Sequence, residues 1–460
     1  MKACDEVQRY ASASLLSVPL KANILTIFPH QKYVQLNYLL FALYLVILSS
    51  LMLRVPFMKN AGIRPGVLLS LFLLKILAGI VIGWIAIHIY GPGNDYWDTN
   101  DYAGEEYQLL LTNPSKYFIN IFTSDYQGGY AGMFSSGNSY WNDLKGNIVI
   151  KLVSVFNIFS RGDYYINSLF FNFIIFFGHV ILYRLFIKIF PQRQLLVIIG
   201  CFLLPSTLYF SSGIHKDGLV FLMLAVLIYT VYESLVKNCF NFKRILVIVV
   251  SLALLFLLRN YIFLAVMPAL FAWILITKTK WPAVPVFASV YLLCGLLVFN
   301  VDAVVQKIKP LEIITAKQTE YLNLQQAATQ IELTPLQPTF KSFAVNAPQA
   351  INHSFMRPYI WELPVKSILP LSIELLGYQI LFLLLIFFRR KDFNPLNKPL
   401  LLFILFFVFT AFLIIGYIVP NLGSLVRYRS LYFPLVVTPI LCCIDWERIV
   451  GLLQVKNKNM

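Results

Sequence analysis

Long apolar runs dominate the chain and are separated by short polar or basic connections. A run of about 17 to 25 mainly apolar residues can cross a bilayer as an α-helix, whereas a membrane β-barrel would need strands of alternating polarity. The fold class predicted is therefore all-α, a polytopic transmembrane helical bundle of about 11 spans (10–12). The predicted spans are 36–53, 66–90, 166–190, 194–213, 217–236, 245–258, 261–277, 283–301, 368–388, 400–419 and 430–446. The sixth and seventh are short and broken at Arg259 and Asn260, so they could form one bent pair of half-helices.

Composition agrees with this pattern. The chain is 59% hydrophobic and 13% charged, with a mean hydropathy of +0.72, which is typical of polytopic membrane proteins. Its net charge of +16 comes from Lys and Arg grouped at the ends of apolar runs rather than along one stripe. Membrane topology therefore explains the charge better than nucleic-acid binding does.

The basic clusters occur at every second junction between spans, and the positive-inside rule places those junctions in the cytoplasm. The loops 91–165 and 302–367 are then both extracytoplasmic, as are the connections 211–217, 259–260 and 420–429. We expect a multi-pass protein of the inner (plasma) membrane with its active site facing outward. Residues 1–35 form an N-terminal tail in which 11–29 could be an interfacial or re-entrant segment.

The remaining divisions follow from these loops. Residues 36–90 hold the first two spans, 166–301 the central spans, 368–446 the C-terminal spans and 447–460 a basic cytoplasmic tail. Within the second loop, 310–333 is apolar-periodic and predicts an amphipathic helix along the membrane surface.

The first loop opens with GPGNDYWDTNDYAGEEY, which concentrates acids in a chain that is otherwise basic. Asp95, Asp98 and Asp101 are the candidate catalytic residues, since a positioned carboxylate can take a proton from an acceptor hydroxyl. Glu105 is a candidate substrate-binding residue. The alternatives are a solvated acidic loop or a site for a divalent cation; zinc is not expected because no His or Cys accompanies the acids.

A second polar group interrupts two spans in PSTLYFSSGIHKDGLVFL. Ser212, His215, Lys216 and Asp217 are candidate substrate-binding residues, with Ser212 predicted as the helix N-cap beside an anion attracted by free N–H groups. The alternative is a solvated hairpin whose second helix is merely capped.

Four arginines complete the candidate binding residues near the outer face. Arg259 lies between apolar segments and should have an anionic partner, either phosphate or an acid of the first loop, unless it snorkels to the surface. Arg427 and Arg429 in NLGSLVRYRSLYFP suit a diphosphate, because each guanidinium can form bidentate hydrogen bonds. They could instead anchor the membrane edge. Arg357, with Glu362 in MRPYIWEL, is a similar candidate.

This layout resembles the GT-C superfamily of integral-membrane glycosyltransferases, which use polyprenyl-phosphate sugar donors. Those enzymes carry acidic residues in the first large outer loop, matched here by Asp95, Asp98 and Asp101, and the resemblance implies that one of the three is catalytic. In this chain that loop follows the second predicted span rather than the first. The segments SSGIHKDG and LVRYRSLYFP are similar to parts of bacterial exopolysaccharide or O-antigen polymerases, whose arginines act on undecaprenyl-diphosphate glycans.

The expected function is transfer of a sugar from a polyprenyl-phosphate donor to an envelope glycan or lipid acceptor on the extracytoplasmic face. A polymerase using undecaprenyl-diphosphate glycans is the first alternative, and a flippase or transporter of lipid-linked glycans is the second. Transport is disfavoured because the unusual charges gather on one face and no inverted repeat is evident. The expected partners are the donor, the acceptor and membrane lipids, without nucleic acid.

Overall fold

The computed structural model describes residues 30–122, 139–279, 281–304, 309–323, 329–362, 368–393 and 398–458. The predicted segment 11–29 and the Gly-, Ser- and Tyr-rich part of the first loop, 123–138, lie outside these residues.

The described chain is helical. The α-helices are α1 His30–Arg54, α2 Pro56–Lys59, α3 Pro65–Ile85, α4 Asp95–Thr112, α5 Pro114–Ile119, α6 Tyr140–Ser160, α7 Tyr164–Ile189, α8 Gln194–Phe202, α9 Pro205–Phe210, α10 Lys216–Val236, α11 Phe242–Leu258, α12 Asn260–Thr279, α13 Ala283–Val304, α14 Pro310–Leu322, α15 Phe340–Ile351, α16 Leu369–Phe387, α17 Pro399–Ile418, α18 Leu422–Ser430, α19 Phe433–Cys443 and α20 Trp446–Lys458. Single π-helical segments, Ala86–Tyr90 and Asn352–Met356, extend α3 and α15. Pairing between extended segments in the described residues is limited to isolated antiparallel bridges, Gln330 with Asn421 and Arg389 with Ile444.

Eight helices of the described chain are long and apolar enough to cross a membrane, which confirms a helical membrane protein. Their ranges are Gln35–Arg54, Pro65–Tyr90, Tyr164–Ile189, Lys216–Val236, Asn260–Thr279, Ala283–Val301, Leu369–Phe387 and Pro399–Ile418. Each corresponds to one predicted span.

The other three predicted spans contain shorter helices. The interval 194–213 is divided into α8 and α9, because Pro205 has no N–H to continue a helix and begins α9 instead. The interval 245–258 lies in α11, which has 17 residues, and 430–446 contains α19, which has 11. Arg259 separates α11 from α12 with a non-helical backbone (φ −150°, ψ 77°), so the two are distinct helices that pack against each other.

The core is centred on α7, which contacts α1, α3, α8 and α10 and buries most of its length. In the second half of the chain, α12 packs along α17 and α19 packs against α8.

The basic junctions meet at one end of this bundle. Arg193 pairs with Glu447 across 3.5 Å, and Gln194 donates a hydrogen bond of 2.9 Å to the carbonyl of Gly62. Lys278 donates one of 2.6 Å to the side chain of Asn238.

The opposite end carries both long loops. In the first loop the acidic stretch forms a helix, α4, because Asn94 caps it by accepting hydrogen bonds from the N–H groups of Tyr96 and Trp97. In the second loop, α14 ends at Leu322 rather than continuing to 333 as predicted, and the described chain resumes in extended form before α15. The prediction of a surface loop with one amphipathic helix is thus corrected to two helices.

Contacts between the loops bring them together with the connection 420–429. The hydroxyls of Tyr321 and Tyr428 lie 3.1 Å apart, and the Gln330–Asn421 bridge joins the second loop to the start of α18. Arg427 reaches the first loop through Asp95. The shared end was predicted from the alternation of basic junctions; which side of the membrane it faces stays a prediction.

Candidate functional site: a buried carboxylate between two arginines

The polar turn between α9 and α10 supplies the centre of the site. α10 begins at Lys216, and its N-cap is His215, whose ring nitrogen Nδ1 accepts a hydrogen bond of 3.3 Å from the N–H of Asp217. Ser212 was predicted as the cap, but its hydroxyl instead donates back to the carbonyl of Leu208. The turn is therefore a capped hairpin whose cap is an imidazole.

Asp217 is the most enclosed acid of this group, with its side chain 1% exposed. Its Oδ1 accepts hydrogen bonds from Arg259, from Nη2 at 2.5 Å and from Nε at 3.2 Å. Its Oδ2 accepts one of 2.7 Å from Nε of Arg427. A buried carboxylate needs this compensation, because an isolated charge in a low-dielectric interior is strongly unfavourable.

Arg259 has the anionic partner that its position between apolar segments requires. The partner is Asp217 of the polar turn, not an acid of the first loop or a snorkelled contact with solvent, and the side chain of Arg259 is only 9% exposed. Its guanidinium also lies over the ring of Tyr428, 4.2 Å from the ring centre, which adds a cation–π contact.

Arg427 joins the polar turn to the first loop. In addition to Asp217, it donates from Nη1 to Oδ2 of Asp95 at 3.0 Å, and its Nη2 lies 2.9 Å from Nδ1 of His215. Asp95 remains 63% exposed, so this carboxylate faces solvent while it contacts the buried group. Donors on all three guanidinium nitrogens of Arg427 are thus already engaged by protein groups.

The protonation of these groups follows from burial and neighbouring charge. Burial, together with the positive charge of Arg427, lowers the pKa of His215 to about 4, so the imidazole is neutral at neutral pH and can accept from Arg427. Burial alone would raise the pKa of Asp95. In the acidic range where this carboxyl titrates, His215 is protonated, and its charge together with that of Arg427 outweighs burial and holds the pKa of Asp95 below its ordinary value. Asp98 differs, because partial burial and the charges of Asp101 and Asp95 raise its pKa.

Two lysines give the site an excess of positive charge. Lys216 lies within range of the charges of Arg259 and Lys145, and it has no hydrogen bond or ion pair to a described residue. Burial, helped by the charges of Arg259 and Lys317, lowers the pKa of Lys145 to about 8, so this lysine remains largely protonated at neutral pH.

The group thus contains more basic than acidic side chains. The basic ones are Lys145, Lys216, Arg259 and Arg427, and the carboxylates are Asp95 and Asp217. We call these six residues with His215 the charged cluster. Lys145 was not predicted as a site residue, because it lies at no distinctive spacing from other polar residues of the first loop. The scarcity of basic residues in that loop was the feature of the sequence that could have drawn attention to it.

Other candidate residues lie outside the charged cluster. Asp98 follows Asp95 by one turn of α4, Asp101 and Glu105 are exposed, and none of these three has a hydrogen bond or ion pair to the cluster. Arg429 is 1% exposed and points away, donating from Nη1 to the carbonyl of Ser354 at 2.6 Å. The predicted pairing of Arg427 with Arg429 on one ligand is therefore wrong for the described geometry, because alternate positions along α18 face different neighbours.

Arg357 belongs to a separate group in the second loop, where its Nη2 pairs with Glu362 at 2.9 Å. No cluster of three or more His, Cys, Asp or Glu side chains suited to a metal ion occurs within the described ranges.

Comparison with protein-family models, curated proteins and solved structures gives no match for this chain. The charged cluster and its position at the ends of the spans are therefore the features that indicate what this protein does.

Proposed function

We propose that the protein is a membrane glycosyltransferase that moves sugar from a polyprenyl-linked phosphate or diphosphate donor to a hydroxyl of an envelope glycan or lipid acceptor, at the extracytoplasmic face. The observation that carries the proposal is the charged cluster. Asp217 is the second residue of one span and Arg259 immediately precedes another, so the cluster lies at the ends of these spans. This position supports a bilayer-anchored donor, whose phosphate would be presented near the membrane surface.

The excess of positive charge supports an anionic ligand. Arg427 is fully engaged in holding Asp217, Asp95 and His215, so we assign it to positioning rather than to direct phosphate binding. Lys216 and Lys145 would meet the phosphate, with the charge of Arg259 close behind them. Fixed cations are suited to this task because they stabilise the charge that develops on the leaving phosphate.

In the proposed reaction, Asp95 is the base. Its carboxylate takes the proton of the acceptor hydroxyl, whose oxygen forms a bond to the anomeric carbon of the donor sugar. The bond between that carbon and the phosphate oxygen breaks, and the phosphate leaves with the electron pair. Among the three acids predicted from sequence, Asp95 is favoured because it contacts the cluster and remains open to solvent.

A polymerase acting on diphosphate-linked glycans is the second candidate. It is favoured by the excess of basic over acidic side chains in the charged cluster, since a diphosphate carries more negative charge than a monophosphate and offers more acceptors for charge-assisted hydrogen bonds. Donors with one and two phosphates and the same sugar distinguish the two.

The test is transfer of labelled sugar from a polyprenyl-linked donor by the purified protein in lipid nanodiscs. Asp95→Asn should lower the rate roughly 10²–10⁴-fold, as expected for loss of a positioned base. Lys216→Ala should weaken donor use while leaving membrane insertion intact. Asp101→Asn is the matched control, because Asp101 lies on the same helix, is exposed and does not touch the cluster.

Full activity of both Asp95→Asn and Lys216→Ala would overturn the assignment. Movement of a fluorescent lipid-linked sugar across proteoliposomes, without transfer to any acceptor, would replace it with transport.

A further inference from the structure

A cavity opens in the second long loop, next to the start of α18, the helix that carries Arg427. It has a volume of about 590 Å³ and lies between the extended segment near Gln330 and the chain that follows α15. We call it the loop groove. Its lining combines amide, carboxylate, imidazole, guanidinium and indole groups, from Gln330, Glu332, Gln349, His353, Arg357, Trp361 and Glu362.

The aromatic part of the loop groove is presented to solvent. Trp361 is 81% exposed and stacks on Tyr359, with ring centres 4.8 Å apart and planes 7° from parallel. The hydroxyl of Tyr359 in turn donates to the side chain of Asn352 at 2.6 Å, which holds the stack against the end of α15. The indole ring of Trp361 is thus held as a large, flat apolar surface at the edge of a polar cavity.

The buried wall of the groove has unused hydrogen-bonding capacity. His353 is 2% exposed, and its Nδ1 has no hydrogen-bond partner among the described residues; the same is true of Nε of Arg357. Burying such groups without a partner is costly, so native structures usually supply one. These atoms indicate that a ligand with hydroxyl groups completes the wall.

Charge distinguishes the loop groove from the charged cluster. Arg357 is neutralised by Glu362 at 2.9 Å, while Glu332 adds a second carboxylate. Burial and the charge of Arg357 lower the pKa of His353 to about 4, which leaves it neutral at neutral pH. With no excess of positive charge, the groove is unsuited to phosphate and suited to a neutral, hydroxyl-rich ligand.

One helix, α18, contributes residues to both the loop groove and the charged cluster. Leu422, at the start of α18, lines the groove, and Arg427 on the same helix holds Asp217. On the other side of α18, Arg429 donates to the carbonyl of Ser354, which directly follows His353. A chain lying in the groove would therefore be held against the helix that organises the cluster.

We propose that the loop groove is a binding site for an oligosaccharide chain, with Trp361 as the surface on which a sugar ring stacks. The proposal rests on the proposed function insofar as this oligosaccharide is the acceptor or the growing product of transfer. Arg357 is accordingly reassigned from phosphate binding to contact with sugar hydroxyls.

The probe is the oligosaccharide fraction released by mild acid from the lipid-linked glycans of the native membranes, so that it carries no phosphate. Binding to the full-length protein in nanodiscs is measured by saturation-transfer NMR and by microscale affinity titration. Trp361→Ala should weaken binding about tenfold, which corresponds to about 1.4 kcal/mol, because the sugar ring loses the aromatic face on which it stacks. Glu332→Gln, an isosteric change at an exposed position, should weaken it by a smaller factor.

Trp281→Ala is the matched control, because Trp281 is also exposed and lies between α12 and α13, away from the groove. Equal binding by wild type and Trp361→Ala would overturn the proposal and leave Trp361 as a membrane-interface residue. Absence of binding by wild type, or displacement of the glycan by inorganic diphosphate, would also overturn it.

The Asp95→Asn protein separates this proposal from the proposed function. It should bind the oligosaccharides as wild type does while failing to transfer sugar. If Asp95→Asn transfers sugar normally and Trp361→Ala still loses glycan binding, the loop groove is a glycan-binding site but Asp95 is not the base.

Discussion

At the scale of single residues, Asp217 determines the arrangement of the charged cluster. Among the described residues it is a nearly inaccessible carboxylate that two arginines from distant segments share, through both of its oxygens. One partner lies at the junction of α11 and α12 and the other on α18, so the charge of Asp217 holds separate parts of the chain together.

We expect Asp217→Asn to destabilise the protein strongly. An amide leaves Arg259 buried without its counter-ion, and removing one partner of a buried ion pair typically costs about 3–5 kcal/mol. The measurement is the thermal unfolding midpoint in detergent, followed by tryptophan fluorescence.

Asp392→Asn is the control for that experiment, since Asp392 forms an ion pair with Arg390 at an exposed position, where solvent screens such pairs and they contribute little to stability. If both variants unfold at the wild-type midpoint, Asp217 does not hold the arginines in place.

Sequence reasoning identified several of these residues but not their partners. A lone arginine between apolar segments implies an anionic partner, which is why Arg259 was expected to have one; the partner is Asp217 rather than an acid of the first loop, and a role in substrate binding stays a prediction. That the counter-ion is Asp217 depends on how α10 and α12 meet, which spacing along the chain does not encode. Arg429 was misassigned for the same reason, because its direction follows from the packing of α18 against Ser354.

At the scale of elements, α15 and α17 show how the second loop is attached to the bundle. Tyr417 on α17 donates a hydrogen bond of 2.7 Å to the carbonyl of Phe343, and their rings lie 5.2 Å apart. One residue before Tyr417, Gly416 lets the helices approach so closely that an added Cβ would collide with the carbonyl oxygen of Ala350.

We therefore expect Gly416→Ala to loosen α15 and to destabilise the protein by roughly 1–3 kcal/mol, as overpacking does. Limited proteolysis between Phe340 and Arg357 measures the loosening, and glycan binding at the loop groove should fall with it, since the groove lies at the end of α15.

Gly377→Ala is the paired control. Gly377 is also within a membrane helix, but nothing lies within 4 Å of the position where its Cβ would be. This variant should match wild type or be slightly more stable, because alanine favours helices. Equal protease resistance in the two variants would contradict the close contact between α15 and α17.

The elements themselves were predictable to different degrees. Long apolar runs gave all eight spanning helices, since their signal is the sum of many residues. The helix α4 was missed because its sequence is acidic and aromatic rather than amphipathic, although Asn94 carries a recognisable capping pattern. Pro205 indicates that 194–213 is divided into two helices, but the high hydropathy of the interval favoured one continuous span.

At the scale of the whole molecule, the two long loops and the charged cluster share one end of the bundle, and the basic junctions share the other. The alternation of charge along the sequence predicted this division, because the positive-inside rule applies to every junction at once. It could not predict which residues would touch, since that depends on side-chain packing across the bundle.

We expect single cysteines placed at Tyr102 and at Trp361, in a cysteine-free background, to react with a membrane-impermeant maleimide in intact cells. A cysteine at Arg244 should react only after the membrane is opened. Both loop positions are exposed, so accessibility and not burial governs their reaction. Reaction of the two loop cysteines from opposite sides would refute the shared face.

The pairing of Asp217 with Arg427 also has a consequence for how the chain is made. The two residues are 210 positions apart, which corresponds to about 10–40 s of synthesis at typical rates. Arg259 follows Asp217 by 42 residues and can neutralise it early, whereas Arg427 is synthesised much later. Until α18 has been made, Asp217 would therefore remain an incompletely satisfied carboxylate at the end of its span, and the second ion pair can form only after that helix has joined the bundle.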